Sequence, residues 1–268
     1  MSGGDSIETV LRWRGAASFG WLVVLLAWES IRPARHWAAG WRDRGRHAVV
    51  NVALALGNVL MVALLFAWIW RWVAMESAAR GLGLLHQAAL PSWAHALAAI
   101  LLLDAWTYAW HRICHRVPFL WRFHRVHHSD ARMDVTTGNR FHAVEIALSA
   151  VLRIPLIPLL GIRFGDLVLY ETLLQFVVQW QHANLVLPRR WERVLRWFVV
   201  TPGMHQVHHS RAPSETDSNY ASILPVWDRL CRTLQLREHP ERVDLGLDGE
   251  DVPGRQTIRG LMRRPFRP

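Results

Sequence analysis

Among 268 residues there is no lysine, and all 31 basic side chains are arginine. A Schiff-base lysine and the phosphate-gripping lysine of a P-loop are therefore excluded as the chemical centre. Cysteine is nearly absent as well. Cys114 and Cys231 cannot build a disulfide framework, and they lack the CxxC spacing of a zinc ribbon or a thioredoxin-like redox motif. Tyrosine is scarce, at three residues against sixteen tryptophans, and carboxylates number only 21, which leaves a formal net charge of +10. The arginines alternate with long apolar segments and form no contiguous stripe with aromatic interleaving, so nucleic-acid binding is not expected. With 51% of the chain hydrophobic, the composition points to a membrane protein with basic flanks.

Long apolar runs are abundant. Residues 17–29 (SFGWLVVLLAWES) follow Arg12 and Arg14, but no small-x-small cleavage site comes after them, so a retained first helix is expected rather than a signal peptide. Residues 48–70 carry no formal charge, and about 23 residues suffice to cross a hydrocarbon core of roughly 30 Å. A third run, from about Trp93 to Trp110, leads into HRICH at 111–115. Between His142 and His182 the chain is again mostly apolar and is broken by GIRFG at 161–165. An up-and-down hairpin, kinked at Pro155 and Pro158, would return His182 to the side of His142. Trp21, Trp28, Trp68, Trp70, Trp93, Trp106, Trp110 and Trp180 sit in or at the ends of these runs, where ring anchors at a bilayer interface are expected. The segment 31–47 holds five arginines, so the positive-inside rule places it, and with it the histidine-bearing ends, on the cytoplasmic side. Three regions are expected: 1–90 with N-terminal helices, 91–236 with the histidine motifs, and 237–268 as a solvated polar tail.

Histidine is the residue type that stands out. HRVHH at 124–128 and HQVHH at 205–209 share the spacing HxxHH, which at 15 histidines in 268 residues is expected by chance about 0.05 times per chain. On helices, His124, His127 and His128 share one face, as do His205, His208 and His209, while His111 and His115 pair at i, i+4. His182 and His142 stand at the ends of the hairpin. Imidazole suits zinc, copper, iron and nickel, and one ion takes four to six ligands, so eight or more histidines imply two ions. His36, His47, His86, His95 and His239 are expected to be ordinary satisfied or solvated side chains. Carboxylates should lie close to orient the rings. Asp104, Tyr108, His111 and His115 form one stripe of a helix, which puts Asp104 beneath the site from within the membrane. Glu145 follows His142 by one turn, Asp228 lies in NYASILPVWDRL, and Asp130 after HRVHH is expected to be a surface or interfacial carboxylate.

These residues resemble the fatty acid hydroxylase superfamily, which includes sterol desaturases, methylsterol oxidases and alkylglycerol monooxygenase. The resemblance rests on DAWTYAWHRICH (104–115), WRFHRVHHSD (121–130), RFHAVE (140–145), QHAN (181–184), HQVHH (205–209) and NYASILPVWDRL (219–230). It implies an all-α, multi-pass transmembrane bundle whose cytosolic helical cap carries a dinuclear iron centre. The ligands would be His111, His115, His124, His127, His128, His182, His205, His208 and His209, with His142 matching a further family histidine. Asp104, Tyr108, Glu145 and Asn184 are the implied catalytic residues. Ala143 replaces the proline usual after the RFH histidine, and no HPGG stretch of a fused cytochrome b5 domain occurs. Electrons are then expected from a separate ferredoxin- or cytochrome b5-like protein.

The expected function is O2-dependent hydroxylation or desaturation of a bilayer lipid at two irons, with the metal carrying the chemistry and the protein supplying orientation and exclusion of water. A zinc-dependent membrane hydrolase is the first rival, and zinc is a possible occupant of the same site, but the chain contains no HExxH. A metal transporter is the second rival. It would spread ionisable residues through the membrane depth, whereas here they gather at one side.

Overall fold

The computed structural model describes residues 3–36, 40–252 and 254–267, with side chains from residue 13 onward. Regular structure among them is helical, apart from one isolated antiparallel bridge between Ser210 and Leu245. Helix α1 (Gly3–Ile31) contains the run expected over 17–29. Helix α2 (Gly40–Leu65) passes into α3 (Ala67–Ala79) with little interruption, since the Phe66 N–H donates to Val62 O and the Trp70 N–H to Phe66 O. A short α4 (Leu84–Gln87) follows a turn built on Gly81 and Gly83, both left-handed at φ +61° and +101°. Gly83 has a second constraint, because a Cβ there would lie 2.3 Å from the backbone N of Gly161. This glycine-to-glycine approach seats α4 on the turn at Gly161.

Pro91 starts α5 (Ser92–Arg116), which at 1.5 Å per residue is about 38 Å long and carries the third apolar run and HRICH on one rod. Pro118 ends that rod. It disfavours helical backbone at Val117, which adopts φ −95°, ψ 113°, and it then occupies the first turn of α6 (Pro118–His128), where a missing N–H costs nothing. The chain thus folds back and lays HRVHH beside HRICH. After a 3-10 turn at Val135–Asn139 come α7 (Ala143–Leu160) and α8 (Phe164–His182), the two arms of the expected hairpin, joined by Gly161 in the left-handed conformation at φ 73°. Short helices complete the fold: α9 (Arg189–Leu195), α10 (Pro202–His208), α11 (Pro213–Thr216), α12 (Val226–Leu230) and α13 (Ile258–Arg263).

Helices α2 and α7 are each long and apolar enough to cross a membrane; a third span results if α3–α4 and α5, bent by 81°, are one broken crossing. The protein is a membrane protein with its largest apolar core between α3, α5, α7 and α8, including Trp70, Leu85, Leu103, Ile157 and Tyr170. Helix α8 is less apolar than the hairpin reading supposed. Its Glu171 is held by Arg153 of α7 at 2.7 Å, which compensates two charges that would be costly in lipid. Val49, Leu56, Val59, Leu64 and Trp68 point outward and are exposed, as a lipid-facing surface requires. Trp93 is exposed as an interface anchor should be. Trp70, in contrast, is buried and donates its indole N–H to Ala150 O at 3.0 Å.

The C-terminal segment is not a solvated tail. Leu245, Glu250 and Leu261 are buried, Leu261 packs with Leu54 of α2 and Val126 of α6, and Glu250 pairs with Arg264 at 2.5 Å. A polar composition masked a few apolar anchors that are enough to dock the segment over α2 and α6.

Candidate metal centre

Nine histidines converge at the ends of α5, α6, α8 and α10, and they sort into two groups. His111, His115, His124, His128 and His208 form the first, with one ring nitrogen each within 4.8 Å of all the others; His127, His182, His205 and His209 form the second by the same measure. Each HxxHH motif is divided between them. The i and i+4 histidines of HRVHH, His124 and His128, enter the first group while His127 enters the second. In HQVHH the division is reversed, so that His205 and His209 enter the second group and His208 the first. The two groups share a wall, since His128 and His209 stack with ring centroids 4.3 Å apart.

The donor set can be tested for a metal from the ring tautomers. His111 Nδ1 lies 2.8 Å from Tyr220 O, His208 Nδ1 2.7 Å from Ser218 O, and His182 Nδ1 2.6 Å from Val178 O. A backbone carbonyl only accepts, so each Nδ1 carries a proton, and each neutral Nε2 presents a lone pair. His124 Nδ1 likewise donates to Glu145 Oε1 at 2.7 Å. Yet His111 Nε2 faces His124 Nε2 at 3.1 Å and His208 Nε2 at 3.0 Å. Lone pairs aimed at each other repel unless a cation lies among them. Donors about 2.1 Å from one ion at right angles stand about 3.0 Å apart, close to the spacing seen here. In the second group His182 Nε2 is 3.0 Å from His127 Nε2 and 2.9 Å from His205 Nε2. His115 Nε2 is buried without a hydrogen-bond partner. The residues present therefore fit two transition-metal ions.

Burial and the neighbouring imidazoles push the pKa of His127, His128, His205, His208 and His209 well below the ordinary imidazole value, which keeps them neutral and able to ligate. The Phe141 ring stacks on His127 at 4.3 Å and covers its outer face.

Comparison with known proteins fits this picture. The fatty acid hydroxylase profile matches residues 96–233, over half of the chain. The chain belongs to the fatty acid hydroxylase family. Among curated relatives, ornithine lipid hydroxylase OlsE of Rhizobium tropici is 32% identical over 148 residues, covering 55% of this chain and 44% of that protein. Alkylglycerol monooxygenase of Danio rerio is 35% identical over 136 residues, covering 50% of this chain and 29% of that protein. Cholesterol 25-hydroxylase of Rattus norvegicus is 24% identical over 155 residues, covering 57% and 50%. The chain thus matches half or less of the length of these relatives. No solved structure matches.

The other expected site residues lie around the cage and not in it. Asp104 is fully buried, and its oxygens accept from Ile223 N at 3.2 Å, Leu224 N at 3.0 Å and Trp227 Nε1 at 2.8 Å. It anchors the 223–227 segment and faces that segment instead of the histidines. The Tyr108 hydroxyl meets Thr233 Oγ1 at 2.9 Å, and its ring packs edge-on against Tyr220, which in turn packs against His111. Asp228 accepts from Tyr220 N and Ala221 N, both at 2.9 Å, and so fixes the carbonyl that holds His111. Asn184 accepts from Arg35 N at 3.0 Å and donates to Arg35 O at 2.8 Å. His142 accepts from Val144 N at 3.1 Å and reaches Met262 O at 3.2 Å, outside both groups.

Asp130 departs from the surface position expected of it. It is buried, and it pairs with His47 Nε2 at 2.7 Å and accepts from Thr137 Oγ1 at 2.7 Å. Burial alone would raise its pKa, but His47 and Arg140 hold it well below the usual carboxylate range. Around it runs a buried charged lattice that the sequence reading missed. Glu29 takes Arg44 at 2.6 Å and the N–H groups of Val135 and Asn184, and Arg140 donates to Val126 O at 3.1 Å and to Asn51 Oδ1 at 3.2 Å. The available signal was Glu29 at the end of an apolar helix, where a lone carboxylate demands a partner.

Proposed function

We propose that this chain is an O2-dependent diiron oxygenase that hydroxylates a C–H bond of a membrane lipid. The observation that carries the reading is the pair of adjacent histidine groups, nine imidazoles gathered at the ends of four helices. Bound iron supplies dioxygen activation, for which a separate ferredoxin- or cytochrome b5-like protein provides the electrons.

The chain's own residues do the rest. Glu145 and the carbonyls of Tyr220, Ser218 and Val178 hold His124, His111, His208 and His182 with the ligating nitrogen inward, and such outer contacts raise ligand basicity and fix ring orientation. Asp104, Tyr108 and Asp228 act as positioning residues, because they fix the 220–233 segment against α5. Phe141 shields His127 from water, and a dry site strengthens every electrostatic contact within it. The lipid-facing surfaces of α2 and α7 bring the bilayer to this end of the molecule. Hydroxylation is favoured over desaturation because the relatives are named as hydroxylases and a monooxygenase. A cytoplasmic site is supported by the arginines of segment 31–47, with Arg35 donating to Gln206 beside His205 at 3.0 Å, and several crossings by the length and apolarity of α2 and α7.

The test is anaerobic purification with metal analysis and an oxygen electrode. About two irons per chain with reductant-dependent oxygen uptake is expected. Full zinc occupancy with hydrolytic activity that persists without oxygen would establish the hydrolase instead.

A further inference from the structure

A cavity of about 1170 Å³ opens beside the first turns of α2; none of the nine cage histidines lines it, and its walls include Arg42, Arg46, Val49, Val50, Arg132 and Met133. It exceeds the volume of a typical small-molecule site. Its charges are unevenly compensated. Arg132 pairs with Asp43, and Arg35 at the rim is spent on Gln206 Oε1 and the carbonyls of Pro240 and Val243. Arg42 and Arg46 are exposed, and among the described residues neither has an ion-pair partner. They stand one helical turn apart, so two guanidinium forks can flank a single anion, and a guanidinium matches phosphate in two-pronged fashion.

The stripe that carries them continues into apolar surface. Val49, Leu56 and Leu60 follow at helical spacing and are exposed by 67%, 64% and 59%, which makes a path for an acyl chain directly below the two arginines. A basic cleft with an apolar wall at the start of a membrane-crossing helix matches a phosphorylated headgroup with its chains in the bilayer. We propose that this cleft binds the phosphate headgroup of an anionic phospholipid, with the acyl chains lying along α2. The site is separate from the metal chemistry, and its occupancy does not depend on turnover.

Native mass spectrometry of the full chain in neutral detergent tests this, with phosphatidylglycerol, phosphatidylcholine and inorganic phosphate as probes and iron content as the check on folding. Phosphatidylglycerol should bind most tightly, R42Q/R46Q should weaken it about 30-fold at two guanidiniums lost, and R42K/R46K, which keeps the charge and loses the fork, should recover only part of it. R190Q/R193Q, which removes the same charge from exposed positions elsewhere, should bind like the parent protein. Undiminished binding by R42Q/R46Q, or equal loss in R190Q/R193Q, overturns the site. Inorganic phosphate binding as tightly as phosphatidylglycerol overturns the lipid assignment in favour of a soluble anion. If R42Q/R46Q keeps its lipid but loses reductase-driven oxygen uptake, the cleft is a protein contact and the proposal fails.

Discussion

His127 and His142 are both expected from the sequence to bear on the metal but meet different fates, and the difference decides what substitution should do. His127 Nε2 points at His182 Nε2 inside the second group, whereas both nitrogens of His142 are turned to backbone groups. His127→Ala should therefore lose iron and lower turnover by about 100-fold or more, and His142→Ala should keep close to the parent iron content, both read by metal analysis of the purified variants. Acid sensitivity follows from the same side chains. In the folded, metal-free protein His127, His128, His205, His208 and His209 have pKa values below the ordinary 6.5, so below that pH the unfolded chain binds more protons than the folded one. Stability is thus fully present above about pH 6.5 and is lost as the pH falls. The melting temperature of the metal-free protein should drop between about pH 7 and pH 5, and a flat profile would contradict neutral burial.

At the scale of elements, the turn at Pro118 and the anchoring of the 220–233 segment do most to assemble the cage. Asp104 satisfies three buried donors on that segment, and an unsatisfied buried donor costs about 1–3 kcal/mol. Asp104→Ala should lower stability by about 3 kcal/mol or more in thermal or denaturant unfolding; a change below about 0.5 kcal/mol would place the residue in the chemistry and not in the scaffold. The helices and their motifs were legible in the sequence because apolar runs and HxxHH spacing are local patterns. Which imidazole joins which group was not, since the division of each motif depends on how α6 and α10 face each other across about eighty residues of chain. The stripe Asp104, Tyr108, His111 and His115 shows the same limit. Helical spacing correctly placed them on one rod, but Asp104 turned to the 223–227 segment that no local pattern could have put beside it. Glu29, Asp130 and Arg140 were illegible for a related reason, because each is a lone charge with a partner far along the chain, 155, 83 and 89 residues away respectively.

For the whole molecule, the lipid-facing helices and the one-sided gathering of imidazoles form a division of labour across a bilayer. Apolar surface fixes the depth, and the capped end gathers the imidazoles that could hold metal. The C-terminal segment belongs to this arrangement, since it docks on α2 and α6 and its Met262 carbonyl meets His142. Removal of residues 237–268 should expose Val126 and Leu54, lower the iron content and favour aggregation, measurable by metal analysis and size-exclusion chromatography. The most direct test of the central claim is mass spectrometry of total lipids from cells with the parent chain or His127→Ala, grown under ordinary dioxygen or dioxygen labelled with heavy oxygen. Dioxygen-dependent hydroxylation that needs the cage predicts a lipid species heavier by about 16 mass units, shifted by about two more under the labelled gas and absent from the variant. A product that carries no label, a loss of about two mass units, or an unchanged profile in His127→Ala would contradict it.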